Sequence, residues 1–273
     1  MIKESKKRII VAVVFIPLFT LVIFLENPIY YSGIVSVFLL LGLLEYHSIL
    51  RRVNINTFIW LNILLFIAIL YGMLKFRIFK LDNLILYRFF TILIGYSVLM
   101  GILSAFTKNI KDSVMSVVFT LFGAFYIVIL GSTIILLKNL GTYQTFFLFL
   151  VVWIYDSGAY FIGRTFGKRR IMPLISPNKS LEGLIGGIIV SLIIVTFLKY
   201  TTNIIPFDNL PYIFFMVITL CLSAQIGDLL ESLLKRFCEV KDSSNIIPGH
   251  GGILDKLDSF LIATPVYYLL LML

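Results

Sequence analysis

Charge is scarce in this chain. Only 14% of its 273 residues are Asp, Glu, Lys or Arg, against about 25% in a typical soluble domain, so a water-soluble globule is excluded. Histidine and cysteine are nearly missing, with two of each. Cys221 falls in an apolar run and Cys238 near the end of one, with no disulfide or metal-ligand spacing; a cystine framework and a Cys/His zinc site are excluded. Acid is short in the first half. Only Glu4, Glu26, Glu45, Asp82 and Asp112 precede position 150, while nine of the 14 acidic residues follow it. The net charge of +9 comes without a contiguous basic arm or recognition helix, since the Lys and Arg residues are scattered over short segments between apolar runs. That excludes nucleic acid and favours anionic lipid and a phosphorylated substrate as partners.

What the chain has instead is 60% hydrophobic residues in long blocks, among them 9–25, 58–74, 114–137, 184–198 and 260–273. Blocks of about 20 residues cross a bilayer as helices. With weaker candidates around 31–44, 89–106, 146–161 and 212–230, the expectation is an all-α polytopic membrane protein of about nine spans. The basic start MIKESKKR precedes a long apolar run that lacks a small-x-small cleavage site, and reads as a retained first helix. Placing the N-terminus in the cytoplasm puts 17 of the 23 Lys and Arg residues on inside segments and six outside, as the positive-inside rule asks. The expected location is the cell (inner) membrane with the site facing the cytoplasm. Residues 1–140 are expected to be scaffold or dimerisation helices, and 141–273 a catalytic region with cytoplasmic loops 164–182 and 235–256. Glu45 and His47, beside Arg51 and Arg52, are expected to form an interfacial ion-pair cluster without a catalytic role.

Two polar constellations interrupt the second half. In the first, Asp156 lies inside an apolar span before Ser157 and Gly158. The chain then leaves through Arg164, Gly167, Lys168, Arg169, Arg170 and Lys179, a flexible basic loop suited to gripping phosphates. Ser180 is placed as the N-cap of the next helix, without a capping box because the partner position is Gly183. In the second, Asp228, Glu231 and Lys235 share one helical face. Asp255 and Asp258 lie three apart as the last helix begins, so two carboxylates can approach Asp228 across a helix pair. Carboxylates from two helices suit Mg²⁺. Between them runs Pro248-Gly249-His250-Gly251-Gly252, where glycines can turn backbone N–H groups toward an anion. Glu239 and Asp242 are expected to be solvated loop charges.

The run Ser232-x-Leu234-Lys235-Arg236, Lys241-Asp242, Ser244, Ile247-Pro248, His250-Gly251-Gly252, Asp255 and Asp258 resembles the signature of the phosphatidate cytidylyltransferase (CDP-diacylglycerol synthase) family. The segments Ser223-Ala224-Gln225-x-Gly227-Asp228-Leu229-x-Glu231-Ser232 and Asp156-Ser157-Gly158-Ala159-Tyr160-Phe161-x-Gly163-Arg164-x-Phe166-Gly167-Lys168 are similar to it as well. So is Ser176-Pro177-Asn178-Lys179-Ser180-x-Glu182-Gly183, with Asn178 and Ser180 where lysine and threonine are common. Lys256 departs from the usual arginine, keeping the charge but losing bidentate recognition.

The resemblance implies transfer of CMP from CTP to phosphatidate with Mg²⁺ required, a second cation being left open, and a homodimer. It also directs the residues to roles. Asp228 and Asp255 are expected to bind metal, with Asp258 and Glu231 as ligands or supports. Lys235, Arg236, Lys241 and His250 would hold phosphates, and Arg164, Lys168, Lys179, Asp156, Gly251 and Gly252 would serve the CTP side. Two other classes compete. Another CTP- or CDP-using lipid phosphotransferase, such as a polyprenol kinase, shares the chemistry, whereas a secondary transporter would place its charges nearer the midplane and on broken helices.

Overall fold

The computed structural model describes residues 16–76, 83–104, 109–247 and 251–272. It is 79% helical. The helices are α1 (16–23), α2 (Pro28–Arg52), α3 (Ile59–Phe76), α4 (Asn83–Ser104), α5 (Ile110–Gly123), α6 (Leu130–Leu137), α7 (Thr142–Phe166), α8 (Leu181–Thr201), α9 (Leu210–Phe237) and α10 (Leu254–Met272). A π-helical turn, Ala124–Ile129, joins α5 to α6 without a break in direction. Five runs are long and apolar enough to cross a membrane: Pro28–Arg52, Ile110–Leu137, Thr142–Phe166, Leu181–Thr201 and Leu210–Phe237. Ile59–Met73 and Thr91–Ser104 are shorter apolar helices. The polytopic, helical reading of the sequence holds.

Local chemistry sets the helix starts. Asn27 accepts a hydrogen bond from the Ile29 amide at 2.9 Å, with Pro28 in the first turn, and Asn209 caps α9 through Tyr212 in the same way. In both cases the side chain satisfies an otherwise orphaned N–H and the proline has none to lose. Ser180 caps α8 by accepting from the Gly183 amide at 3.1 Å, as the sequence suggested.

One expectation needs correction. The basic segment after α7 is not an irregular loop but an antiparallel hairpin, β1 (Arg170–Met172) paired with β2 (Ser176–Ser180). Pro173 and Pro177 favour extended neighbours and a turn over helix, and β2 runs directly into α8. The second loop is also narrower than expected, because α9 continues through Lys235 and Arg236 to Phe237 and α10 begins at Leu254.

Helix packing positions the polar residues. α7 and α8 meet along small residues, with Gly158 facing Gly187 and Gly183 facing Ala159 and Gly163, so the two backbones approach as close-packed membrane helices do. A Cβ on Gly227 would fall 2.3 Å from the Asp258 carbonyl oxygen. Only glycine lets α10 lie that near α9, which brings Asp228 and Asp258 to the same level. Buried tyrosines tie α7 and the π-helical turn to α9. Tyr155 donates to Gln225 at 2.6 Å, and Tyr126, on the π-helical turn, donates to the Gly227 carbonyl at 3.2 Å.

Candidate active site

The polar face of α9 meets β2 and the start of α10. Lys179, from β2, pairs with Asp228 at 2.5 Å, and Ser232 donates to the same carboxylate at 3.3 Å. Two turns on, Lys235 pairs with Asp255 at 2.5 Å and contacts Glu231 one turn below it. Exposure separates the two ion pairs. The Asp228 side chain is 31% exposed, whereas that of Glu231 is 0% exposed, so Asp228 is partly open to its surroundings and Glu231 is sealed. Asp156 is exposed although it sits midway along α7. The charges of Asp156, Asp228 and Asp258 act on one another, and Lys179 and Lys256 act on Asp156. Two constellations far apart in sequence thus form one electrostatic unit.

Asp255 has a different setting. Its carboxylate accepts from the Ser243 amide at 2.9 Å, the Ser243 hydroxyl at 2.7 Å and the Gly252 amide at 2.7 Å, in addition to Lys235. The Gly252 amide, expected to face a phosphate, faces this carboxylate. Gly251 adopts φ of 83°, and its carbonyl accepts from the Ile247 amide at 2.9 Å, closing the loop over Asp255. Asp258 accepts only from the Ser259 amide, at 2.7 Å, among the described residues.

The expected basic residues divide. Lys179 and Lys235 lie within the cluster. Arg236 is exposed, donating to the Ile175 carbonyl of the hairpin at 3.0 Å and to the Val240 carbonyl at 3.2 Å. Arg164 donates to the Tyr160 hydroxyl at 3.1 Å, and Lys168 presents an exposed side chain. Lys241 borders an open cleft with Arg52, Glu239 and Asp242. Glu239 and Asp242 are exposed, as expected. His250 lies outside the described residues.

The sequence reading missed two contributors. Glu45 belongs to no ion-pair cluster among the described residues. It is 4% exposed and accepts from the Ser244 hydroxyl at 2.6 Å and from the Ile253 and Leu254 amides at 3.0 and 2.8 Å, while the Ser243 hydroxyl, 2.9 Å away, shares its one proton between Glu45 and Asp255. One carboxylate from α2 therefore caps α10 and holds the glycine-rich loop. The charge suits a helix N-terminus, where amides have no intrahelical partner. His47 is likewise buried and forms no ion pair; it contacts Thr57 and Asn62, with Arg51 one turn further along α2, and Asn62 accepts from Tyr96 at 2.6 Å. The second contributor is Glu182, which accepts from the Lys168 and Arg169 amides at 3.0 and 3.1 Å and so ties the base of the hairpin to α8. Glu182 stands in the motif at 176–183, but its role has no local signal because its partners are backbone amides, and the partners of Glu45 are remote in sequence.

Comparison with known proteins adds the family. A profile of the Cytidylyltransferase family matches residues 6–273. The chain belongs to that family. It is 46% identical over 158 residues to a phosphatidate cytidylyltransferase of Bacillus subtilis, an alignment covering 56% of this chain and 57% of the relative. Against the Staphylococcus saprophyticus phosphatidate cytidylyltransferase it is 40% identical over 194 residues, covering 70% of this chain and 69% of the relative. The Staphylococcus aureus enzyme of the same name is 38% identical over 197 residues, 71% and 70% of the two chains. For a cytidylyltransferase, a partly open cluster of acids and ammonium groups at a helix end is the kind of site that handles phosphates.

Proposed function

We propose that this protein transfers CMP from CTP to phosphatidate, giving CDP-diacylglycerol and pyrophosphate, with the site on the cytoplasmic face of the cell membrane. The observation that carries the reading is the cluster in which Lys179–Asp228 and Glu231–Lys235–Asp255 converge from β2, α9 and α10 in a chain of the cytidylyltransferase family. Named relatives support the substrates, and the excess of Lys and Arg on one set of loops supports the side.

An oxygen of the phosphatidate phosphate attacks the α-phosphorus of CTP in line, the bond to the β,γ-diphosphate breaks, and pyrophosphate leaves with that electron pair. Both reactants are anions, so positioning and charge neutralisation supply most of the acceleration. Lys179 and Lys235 are held at fixed depth by their carboxylate partners, preorganised to meet phosphate oxygens. Arg164, Lys168 and Lys241 are exposed and would take the triphosphate, and Arg236 fixes the hairpin that carries Lys179. The lipid phosphate reaches the same level from the bilayer.

The donor set fits a divalent cation in kind. Asp156, Asp228, Glu231, Asp255 and Asp258 face Lys179, Lys235 and Lys256, five carboxylates against three ammonium groups, and all the acidic donors are hard oxygens. No ready group of three ligands exists among the described residues. Asp228 and Asp258 are the residues we place on Mg²⁺, with Glu231 and Asp255 supporting them, because Asp258 keeps acceptor capacity and Asp255 is already engaged by four donors. When bound, the ion screens phosphate charge. The test is conversion of labelled CTP and phosphatidate by the purified protein with Mg²⁺. Product should form and should vanish in Asp228→Asn. An inactive wild-type protein in a preparation where a family relative works would overturn the reaction, and full activity in Asp228→Asn would overturn the metal assignment.

A further inference from the structure

The three ammonium groups of the cluster are not equivalent. The Nζ of Lys179 is buried against Asp228, and that of Lys235 is shared by Glu231 and Asp255. Lys256, the residue after Asp255, is half-buried. Its backbone amide donates to the Ile253 carbonyl at 3.0 Å in the first turn of α10, but its side chain makes no hydrogen bond and no ion pair among the described residues. Nor is its Nζ sealed from solvent.

The neighbours of α10 fix the direction of this side chain. Leu254 and Leu257 pack against Gly42 of α2, and the Asp258 carbonyl lies against Gly227 of α9. Phe260 meets Phe149 of α7 with ring centroids 4.5 Å apart. Lys256 stands one helical turn before Phe260 on the same face, so it faces α7. Asp156 stands seven residues after Phe149, again on the same face. The two helices are antiparallel, because Tyr267 stacks on Phe147 while Phe260 meets Phe149. Lys256 and Asp156 therefore lie on the same side of the aromatic contact, their backbones about 6 and about 10 Å beyond it. Side chains tilt toward the N-terminus of their own helix, which raises Lys256 and lowers Asp156 until the two charges are level. The charge of Lys256 is accordingly felt at Asp156, yet the two do not close into an ion pair. Asp156 is exposed, so the space between them is not filled, and the charge of Asp228 also reaches it.

We propose that Lys256 is a substrate-binding residue whose ammonium takes a phosphate oxygen in this gap between α7 and α10. The inference rests on the reaction proposed above, in which both substrates bring phosphate. A phosphate that reaches Lys179 or Lys235 shares the ammonium with a carboxylate, whereas Lys256 offers all three of its donors. Its positive charge also offsets Asp156, which would otherwise repel an anion at this depth. The arginine usual at this position in the similar family can grip the same group through two parallel hydrogen bonds. The phosphate can come from CTP or from the lipid headgroup; the chemistry is shared.

The test follows the melting temperature of the full chain in detergent with Mg²⁺, for wild type, Lys256→Met and Lys256→Arg. Each substrate is given alone, so that no turnover intervenes, and each has a phosphate-free control: CTP against cytidine, and short-chain phosphatidate against the matching diacylglycerol. Wild type should be stabilised by the phosphorylated member of each pair. Without ligand Lys256→Met should melt like wild type, because no ion pair is lost. It should need roughly ten- to a hundredfold more of at least one phosphorylated ligand for the same shift, the loss expected for one hydrogen bond between charged groups, and Lys256→Arg should restore it. Loss confined to CTP assigns the ammonium to the triphosphate, loss confined to phosphatidate assigns it to the lipid headgroup, and loss of both places it where the two phosphates meet. Wild-type affinity for both ligands in Lys256→Met overturns the inference. If the unliganded variant also melts lower, Lys256 is instead a structural partner of Asp156. Wild-type protein that is stabilised by these ligands but forms no CDP-diacylglycerol refutes the reaction and leaves the result for Lys256 standing, and wild type stabilised by neither ligand removes both.

Discussion

Replacing Glu45 by glutamine tests whether one carboxylate on α2 holds the glycine-rich loop in its working shape. The two side chains have the same outline, so α2 and its packing should persist. The hydrogen bonding cannot. One carboxylate oxygen accepts from Ser244 and the Ile253 amide, the other from the Leu254 amide and, shared with Asp255, from Ser243. A serine hydroxyl can turn round and accept, but a backbone N–H cannot. Whichever way the glutamine amide is placed, its NH₂ faces one of the two backbone donors. That loses a hydrogen bond to a charged acceptor, worth about 1.5–3 kcal/mol, and strands a buried N–H at a cost of about 1–3 kcal/mol. The lost charge at the helix N-terminus adds up to about 1 kcal/mol. Because these contributions overlap, the expected loss for the closed loop is about 3–5 kcal/mol, or roughly a hundred- to five-thousandfold in its opening equilibrium. Hydrogen exchange over residues 238–254 should accelerate by that factor while α7 and α8 exchange as before, and turnover of CTP should fall. Unchanged exchange in the loop, with wild-type turnover, would refute the reasoning.

Lys235→Met leaves Glu231 and Asp255 without their shared cation, and breaking a buried pair from one side costs about 3–5 kcal/mol; the melting temperature in detergent should drop sharply and partly recover on adding Glu231→Gln, with activity absent from both. In Gly252→Ala the new Cβ would fall 2.1 Å from the Ser243 hydroxyl and 2.4 Å from the Glu45 carboxylate; it should open the same loop as Glu45→Gln at a cost of about 1–3 kcal/mol, and the two changes should be less than additive by exchange because they act on one contact. Burial pushes the Cys238 thiol up to about 11. Since the thiolate is the reactive form, alkylation near pH 8 should be slow in the folded protein and rise steeply on denaturation; rapid labelling of the native state would contradict the burial.

The sequence by itself determined the solvent and the inventory of chemistry. Long apolar blocks separated by short basic segments dictate membrane helices, because a backbone in hydrocarbon must satisfy its own hydrogen bonds. The helical spacing of Asp228, Glu231 and Lys235 and the pair Asp255 and Asp258 were equally readable, since i to i+3 or i+4 geometry is local. Tertiary structure decided how those charges are shared. Lys179 crosses to Asp228 and Lys235 to Asp255 because Gly227 admits α10 and the hairpin lies along α9, and neither contact has a short-range signature. Glu45 shows the limit most clearly. Beside Arg51 and Arg52 it reads as an ordinary surface charge, yet its donors are 198 to 209 residues away. Two of them are backbone amides, which every residue but proline possesses, and only the fold reveals where they point.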